Sequence, residues 1–177
     1  MKTFLFALIL VLGFSNLVAQ EADTTEVRID SAIYMKYVGY GYIVYVDANP
    51  LIKNIPANYD VKKQAHRISY SNKNILLQLI KKWFTPYFQK HDVLENLPSF
   101  SNSIEFNLHS DPQGNIIGID FNFSDKYDIP IEILHNFSID LQKSKFKLIH
   151  DQSEILKKAK RLERVYAISC KDIYNLK

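Results

Sequence analysis

The stretch SIEFNLHSDPQGNIIGIDFNF, residues 103–123, constrains the fold more than any other part of the chain. Ile104, Phe106 and Leu108 alternate with Glu105, Asn107 and His109. After DPQGN, Ile117, Ile119, Phe121 and Phe123 alternate with Gly118, Asp120 and Asn122. Successive strand side chains point to opposite faces, so this pattern predicts an antiparallel hairpin with one apolar and one polar face. A turn centred between Pro112 and Gln113 sets Phe106 opposite Ile119 and Glu105 opposite Asp120. A displacement of two residues would match the same faces, so the pattern supports pairing without fixing its register.

An apolar sheet face needs a cover, and the flanking segments supply helices. In SNKNILLQLIKKWFTPYF, residues 71–88, Ile75, Leu76, Leu79, Ile80, Trp83 and Phe84 recur at helical spacing. Ser71 or Asn72 caps the start, and Pro86 ends or kinks the helix. Asp128 and Pro130 open a second helix with Ile133 or Leu134, Phe137 and Leu141 on one stripe, and Lys145 to Ile149 reads as a short strand. DQSEILKKAKRLER, residues 151–164, reads as a third, charged helix. VYAISCKDIYNL follows as a terminal strand with Tyr166, Ile168 and Cys170 on one face. The expected fold class is α+β: a mostly antiparallel sheet with two or three helices packed on one face.

Five of the 11 tyrosines fall within YMKYVGYGYIVYV, residues 34–46. From Tyr40 the residues alternate as in a strand, with Tyr40 and Tyr42 on one side and Tyr45 on the other. The preceding 27–38 segment fits either the first arm of a hairpin turning at Gly39 to Gly41 or a short helix capped by Gly39. Residues 20–26 read as a frayed polar lead, and 49–70 mainly as loop. Tyrosine suits strands and keeps its hydroxyl wet while its ring is buried. Tyr40, Tyr42 and Tyr45 are nonetheless the candidate binding residues, for a protein edge or a glycan.

The N-terminus, MKTFLFALILVLGFSNLVAQ, is basic, then apolar, then small and polar. That order predicts a signal peptide over residues 1–19, leaving 20–177 as a single α+β domain. The apolar run falls short of the roughly 20 residues that span a bilayer. No transmembrane segment is expected after cleavage, and the destination is the periplasm or the exterior. Cys170 is the lone cysteine, which excludes an internal disulfide and the small disulfide-rich classes. The net charge of +3 gives no global attraction to nucleic acid.

No GxSxG, HExxH, Walker-type or CxxC motif occurs, and no cofactor is expected. The polar hairpin face offers one alternative chemistry. Glu105, His109 and Asp120 could hold a metal ion or perform acid/base work, although their spacing matches no ligand motif. The pairs His91-Asp92 and His150-Asp151 read as helix ends or loops. KKAKRLER, residues 157–164, reads as a solvated basic helix face. Asn122-Phe-Ser and Asn136-Phe-Ser match the N-glycosylation pattern, which matters only in a eukaryotic source.

From about Ser71 onward, the helix–hairpin–helix–strand order resembles the C-terminal domain of the TonB/TolA type. The hairpin IEFNLHSDPQGNIIGIDFNF, with its GNI exit, and the helix from Pro130 carry the likeness. The chain is also similar to small uncharacterised secreted proteins of Bacteroidetes, in which such a hairpin recurs. Both resemblances imply an envelope location. The leading expectation is a non-enzymatic module that binds an envelope protein through a sheet edge. The alternatives are a small hydrolytic or metal-dependent enzyme and a glycan-binding module.

Overall fold

A computed structural model describes residues 23–54, 65–90, 103–151 and 154–176. The signal segment 1–19 and the His91-Asp92 pair lie outside the described residues. In chain order the elements are β1 (Asp23–Ile29), β2 (Ala32–Gly39), β3 (Tyr42–Asp47), α1 (Pro50–Lys53), a 3-10 turn (Ala65–Arg67) and β4 (Ile68–Tyr70). There follow α2 (Lys73–Trp83), α3 (Thr85–Lys90), β5 (Ser103–Ser110), β6 (Ile116–Ser124) and α4 (Ile131–Lys143). The chain continues with β7 (Leu148–His150), α5 (Glu154–Lys157), β8 (Leu162–Ser169) and α6 (Cys170–Tyr174). Six strands form one antiparallel sheet in the order β1-β2-β3-β6-β5-β8, and β4 pairs with β7 in a separate ribbon. The fold is α+β, as the alternation and the helical stripes together require.

The core lies between one sheet face and the helices. Phe84 of the α2 cap, Phe106 of β5 and Phe137 of α4 meet with ring centroids 5.0–5.4 Å apart, largely edge-on. Phe121 of β6 closes the group 5.9 Å from Phe106. All four rings are buried. Such aromatic pairs favour edge-to-face geometry and add roughly 0.5–1.5 kcal/mol beyond the area that they bury. Asn72 caps α2 by accepting the Asn74 N–H at 3.1 Å. The helix stops at Trp83, and Pro86 takes the second position of α3, where its missing N–H costs nothing. Asp140 of α4 ties α2 in place, accepting from Lys82 Nζ at 2.7 Å and Trp83 Nε1 at 2.9 Å.

Of the two registers that the alternation allows, β5 and β6 adopt the one displaced by two residues from a turn centred between Pro112 and Gln113. Phe106 faces Phe121, Glu105 faces Asn122, and Asn107 faces Asp120. The turn explains the shift. Asp111 donates its N–H to Asn115 O at 3.0 Å, accepts from Gly114 N at its carbonyl, and accepts Asn115 N–H at its side chain, 2.9 Å. Those bonds close the chain over Asp111–Asn115 rather than about Pro112–Gln113, and a bulge at His109/Ser110 takes up the remainder. The new register keeps both faces matched and separates Glu105 from Asp120, which would otherwise repel. Gly114, at φ 83°, passes so close to β7 that a Cβ would stand 1.9 Å from Leu148 O.

Three expectations are corrected and one open choice is resolved. Residues 23–26 are not frayed: they form half of β1, registered residue by residue against β2 from Asp23↔Val38 to Ile29↔Ala32. The 27–38 segment, open between a hairpin arm and a helix, holds the end of β1, a turn at Asp30–Ser31 and most of β2, and β2 turns into β3 through Tyr40 (φ 54°) and Gly41 (φ 81°). Positive φ at both central residues is the type I′ geometry that suits two-residue hairpins. Among the described residues of the 151–164 stretch only Glu154–Lys157 is helical, because β5 recruits Leu162 to Arg164 into β8. Cys170, finally, opens α6 instead of ending the strand, with Ser169 accepting Asp172 N–H as its cap.

Candidate functional surfaces

The two edges of the large sheet differ. Along β8, Tyr70 donates its hydroxyl to Val165 O at 2.9 Å, and Arg164 Nη1 donates to Ala65 O at 2.7 Å, so the 65–70 segment covers that edge. No described strand pairs with the outer side of β1. The first four residues of β1 are all exposed. An edge that no described strand pairs can offer backbone donors and acceptors to an extended chain. Charges on β1 limit indiscriminate pairing, among them Glu26 and Arg28, which form a 2.6 Å ion pair.

The candidate tyrosines divide. Tyr40 occupies the β2–β3 turn, 74% exposed, and Tyr42 begins β3, 42% exposed. Tyr37, directly opposite Thr24 of β1, joins them at the surface. Tyr45 does not. Its position faces Phe121 across the ladder, its ring stacks on Phe123 at 6.1 Å, and it is 5% exposed. A glycan cannot stack on Tyr45, because alternation along β3 turns it into the core.

On the opposite sheet face, a polar network replaces the expected triad. His109 is 3% exposed at its side chain, with Nε2 2.7 Å from Asp120 Oδ2 and Nδ1 3.6 Å from Glu163 Oε1. Burial alone would lower the imidazole's pKa. The Asp120 hydrogen bond and the Glu163 carboxylate outweigh burial and raise it to about 9. Arg161 pairs with Glu163 and donates to Ile52 O, which pins α1 over the network. Gly118 leaves the space for that cover, since a Cβ there would lie 2.0 Å from Ile52 Cδ1. Glu105 stands apart, accepting from Asn122 Nδ2 at 3.1 Å. Among the described residues no group of three His, Cys, Asp or Glu side chains is disposed to hold a metal ion. The His109–Asp120 pair is an ion pair whose imidazole is buried and whose carboxylate is partly exposed.

A cavity of about 540 Å³ opens between the β1–β2 turn, the end of β3 and the face of α4 that carries the buried His135 and Ser138. Tyr34, Asp47, His135 and Ser138 line it, and none was singled out in the sequence as a site residue. The Tyr34 hydroxyl lies 3.4 Å from His135 Nδ1 and bonds Ser138. Burial, with the Asp47 charge adding, pushes that hydroxyl up to about 12. Asp47 ends β3 where the strand leaves β6. Its N–H donates to Asp120 Oδ1 at 3.0 Å, and its own Oδ1 accepts Asn49 N–H at 2.9 Å. Burial pushes the Asp47 carboxyl above its ordinary 3.8, against the pull of that Asn49 bond, and the Asp120 charge adds to the rise.

No helix among the described residues is long and apolar enough to cross a membrane. No protein-family model and no curated protein sequence matches the chain. One solved structure, a DUF5043 family protein from Bacteroides uniformis, aligns with a TM-score of 0.57 over 84% of this chain and 86% of its own, at 14% identity. That likeness agrees with the resemblance to uncharacterised Bacteroidetes proteins and gives the TonB/TolA resemblance no support. At such identity, what this chain shares with the Bacteroides protein is its fold.

Proposed function

We propose that the chain is an exported module of a bacterial envelope that binds another protein by strand addition to β1. The observation that carries this reading is the asymmetry of the sheet: the β8 edge is covered by residues 65–70, and the β1 edge is not covered by any described strand. Backbone hydrogen bonds along β1 would supply affinity. Tyr37, Tyr40 and Tyr42, exposed beside or near that edge, would supply the aromatic contacts typical of interface cores. The basic, apolar, then small-residue order of residues 1–19 supports export.

The test uses residues 20–177 as bait in envelope extract, beside a bait carrying Tyr37→Ser and Tyr42→Ser. The reading expects a partner that the wild-type bait retains and the double variant releases. Recovery of nothing above background, or equal recovery by both baits, would refute it.

A further inference from the structure

We propose that β1 also pairs with β1 of a second copy of this chain, antiparallel about a two-fold axis at Val27. This pairing rests on the reading of β1 as an edge that accepts an added strand. The ladder fixes which backbone groups face outward. Ile33 O accepts from Ala48 N–H at 2.9 Å, so the odd-numbered residues of β2 bond towards β3 and the even-numbered ones towards β1. Glu26 and Arg28 lie opposite Met35 and Ile33, so their N–H and C=O groups point away from β2. No described strand pairs with that side.

Charge selects the register. Glu26 and Arg28 share the sheet face away from the helices and form a 2.6 Å ion pair that is exposed at both side chains. With the axis at Val27, Glu26 of each copy lies opposite Arg28 of the other, and the four charges alternate in sign. An axis one residue away, at Glu26 or at Arg28, sets like charges opposite each other. On the other face Val27 meets Val27 of the second copy. Val27 is half-buried, lies opposite the buried Tyr34 and packs against the core, so this contact extends the apolar row. The two-fold pairing uses each edge once and closes the assembly. It forms roughly four backbone hydrogen bonds over a small interface, which sets a Kd on the order of 0.1–1 mM. At micromolar concentration the edge is then open to another protein.

The experiment is sedimentation equilibrium of residues 20–177 from about 20 µM to about 1 mM. Wild type should pass from monomer towards dimer across that range. Glu26→Arg and Arg28→Glu should each weaken the dimer about tenfold, since like charges then face each other across the axis. Both side chains are exposed, so both variants should fold. An equimolar mixture of the two variants should dimerise about as well as wild type, because every cross-axis pair then joins unlike charges. A wild type that stays monomeric to about 1 mM, variants that dimerise as tightly as wild type, or a mixture no tighter than either variant alone would overturn the proposal. A monomeric wild type that retains an envelope protein would leave the β1 reading standing, whereas a dimer that retains none would refute that reading alone.

Discussion

Replacing His109 by Gln should convert a pH-dependent stability into a flat one. In the folded protein the imidazole binds its proton with a pKa of about 9, against an ordinary 6.5. The folded value lies above the unfolded one, so the folded state holds the proton more tightly. The stabilisation is therefore fully present below about pH 6.5 and is lost as pH rises towards 9. Integrating over pH 6 to 8.5 gives a loss of about 2 kcal/mol. For a domain of this size that corresponds to roughly 4–8 °C in Tm. Above that window the buried Cys170 thiol and Tyr34 hydroxyl, raised to about 11 and about 12 by burial, add slopes of their own. The assay is thermal unfolding of wild type and His109→Gln at half-unit steps from pH 6 to 8.5. At pH 6 the variant should melt lower, by about 3 kcal/mol, because Asp120 and Glu163 then lose the cation between them. A variant with the same slope as wild type, or a wild type without a slope, would refute the assignment of His109 as a buried imidazolium.

Other substitutions test the packing. Gly114→Ala should cost 2 kcal/mol or more in chemical denaturation, since its φ is 83° and its Cβ would collide with Leu148 O. A change below about 0.5 kcal/mol would mean that the turn does not lean on β7 as described. Tyr45→Ala should cost about 3 kcal/mol and Tyr40→Ser less than about 1, because one ring is in the core and the other in solvent. Equal costs would place the two rings in similar surroundings and contradict the β3 facing.

The elements most legible in the sequence are those whose residues carry their own periodicity. Ile104 to Phe123 alternates so strictly that hairpin and faces follow from pattern alone, and Leu76, Ile80 and Phe84 mark the buried stripe of α2. Register was not legible, because a two-residue slip leaves every face matched and only the Asp111–Asn115 hydrogen bonds decide between alternatives. DTTEVRI lacks alternation, and it becomes β1 only because β2 offers a ladder. KKAKRLER has helical composition, yet Arg161 and Arg164 serve as anchors to Ile52 O and Ala65 O from or beside a strand. Tertiary context there overrides local propensity. The cavity had no local signature, since Tyr34, Asp47 and His135 come from three separated segments that only the β1–β2–β3 meander and α4 bring together.

Amide hydrogen exchange along β1, in the free protein and in the complex captured from envelope extract, tests the central claim most directly. The account predicts that amides of Asp23–Ile29 not bonded to β2 exchange quickly in the free protein and become protected in the complex. Protection already complete in the free protein, or exchange unchanged by the partner, would contradict it.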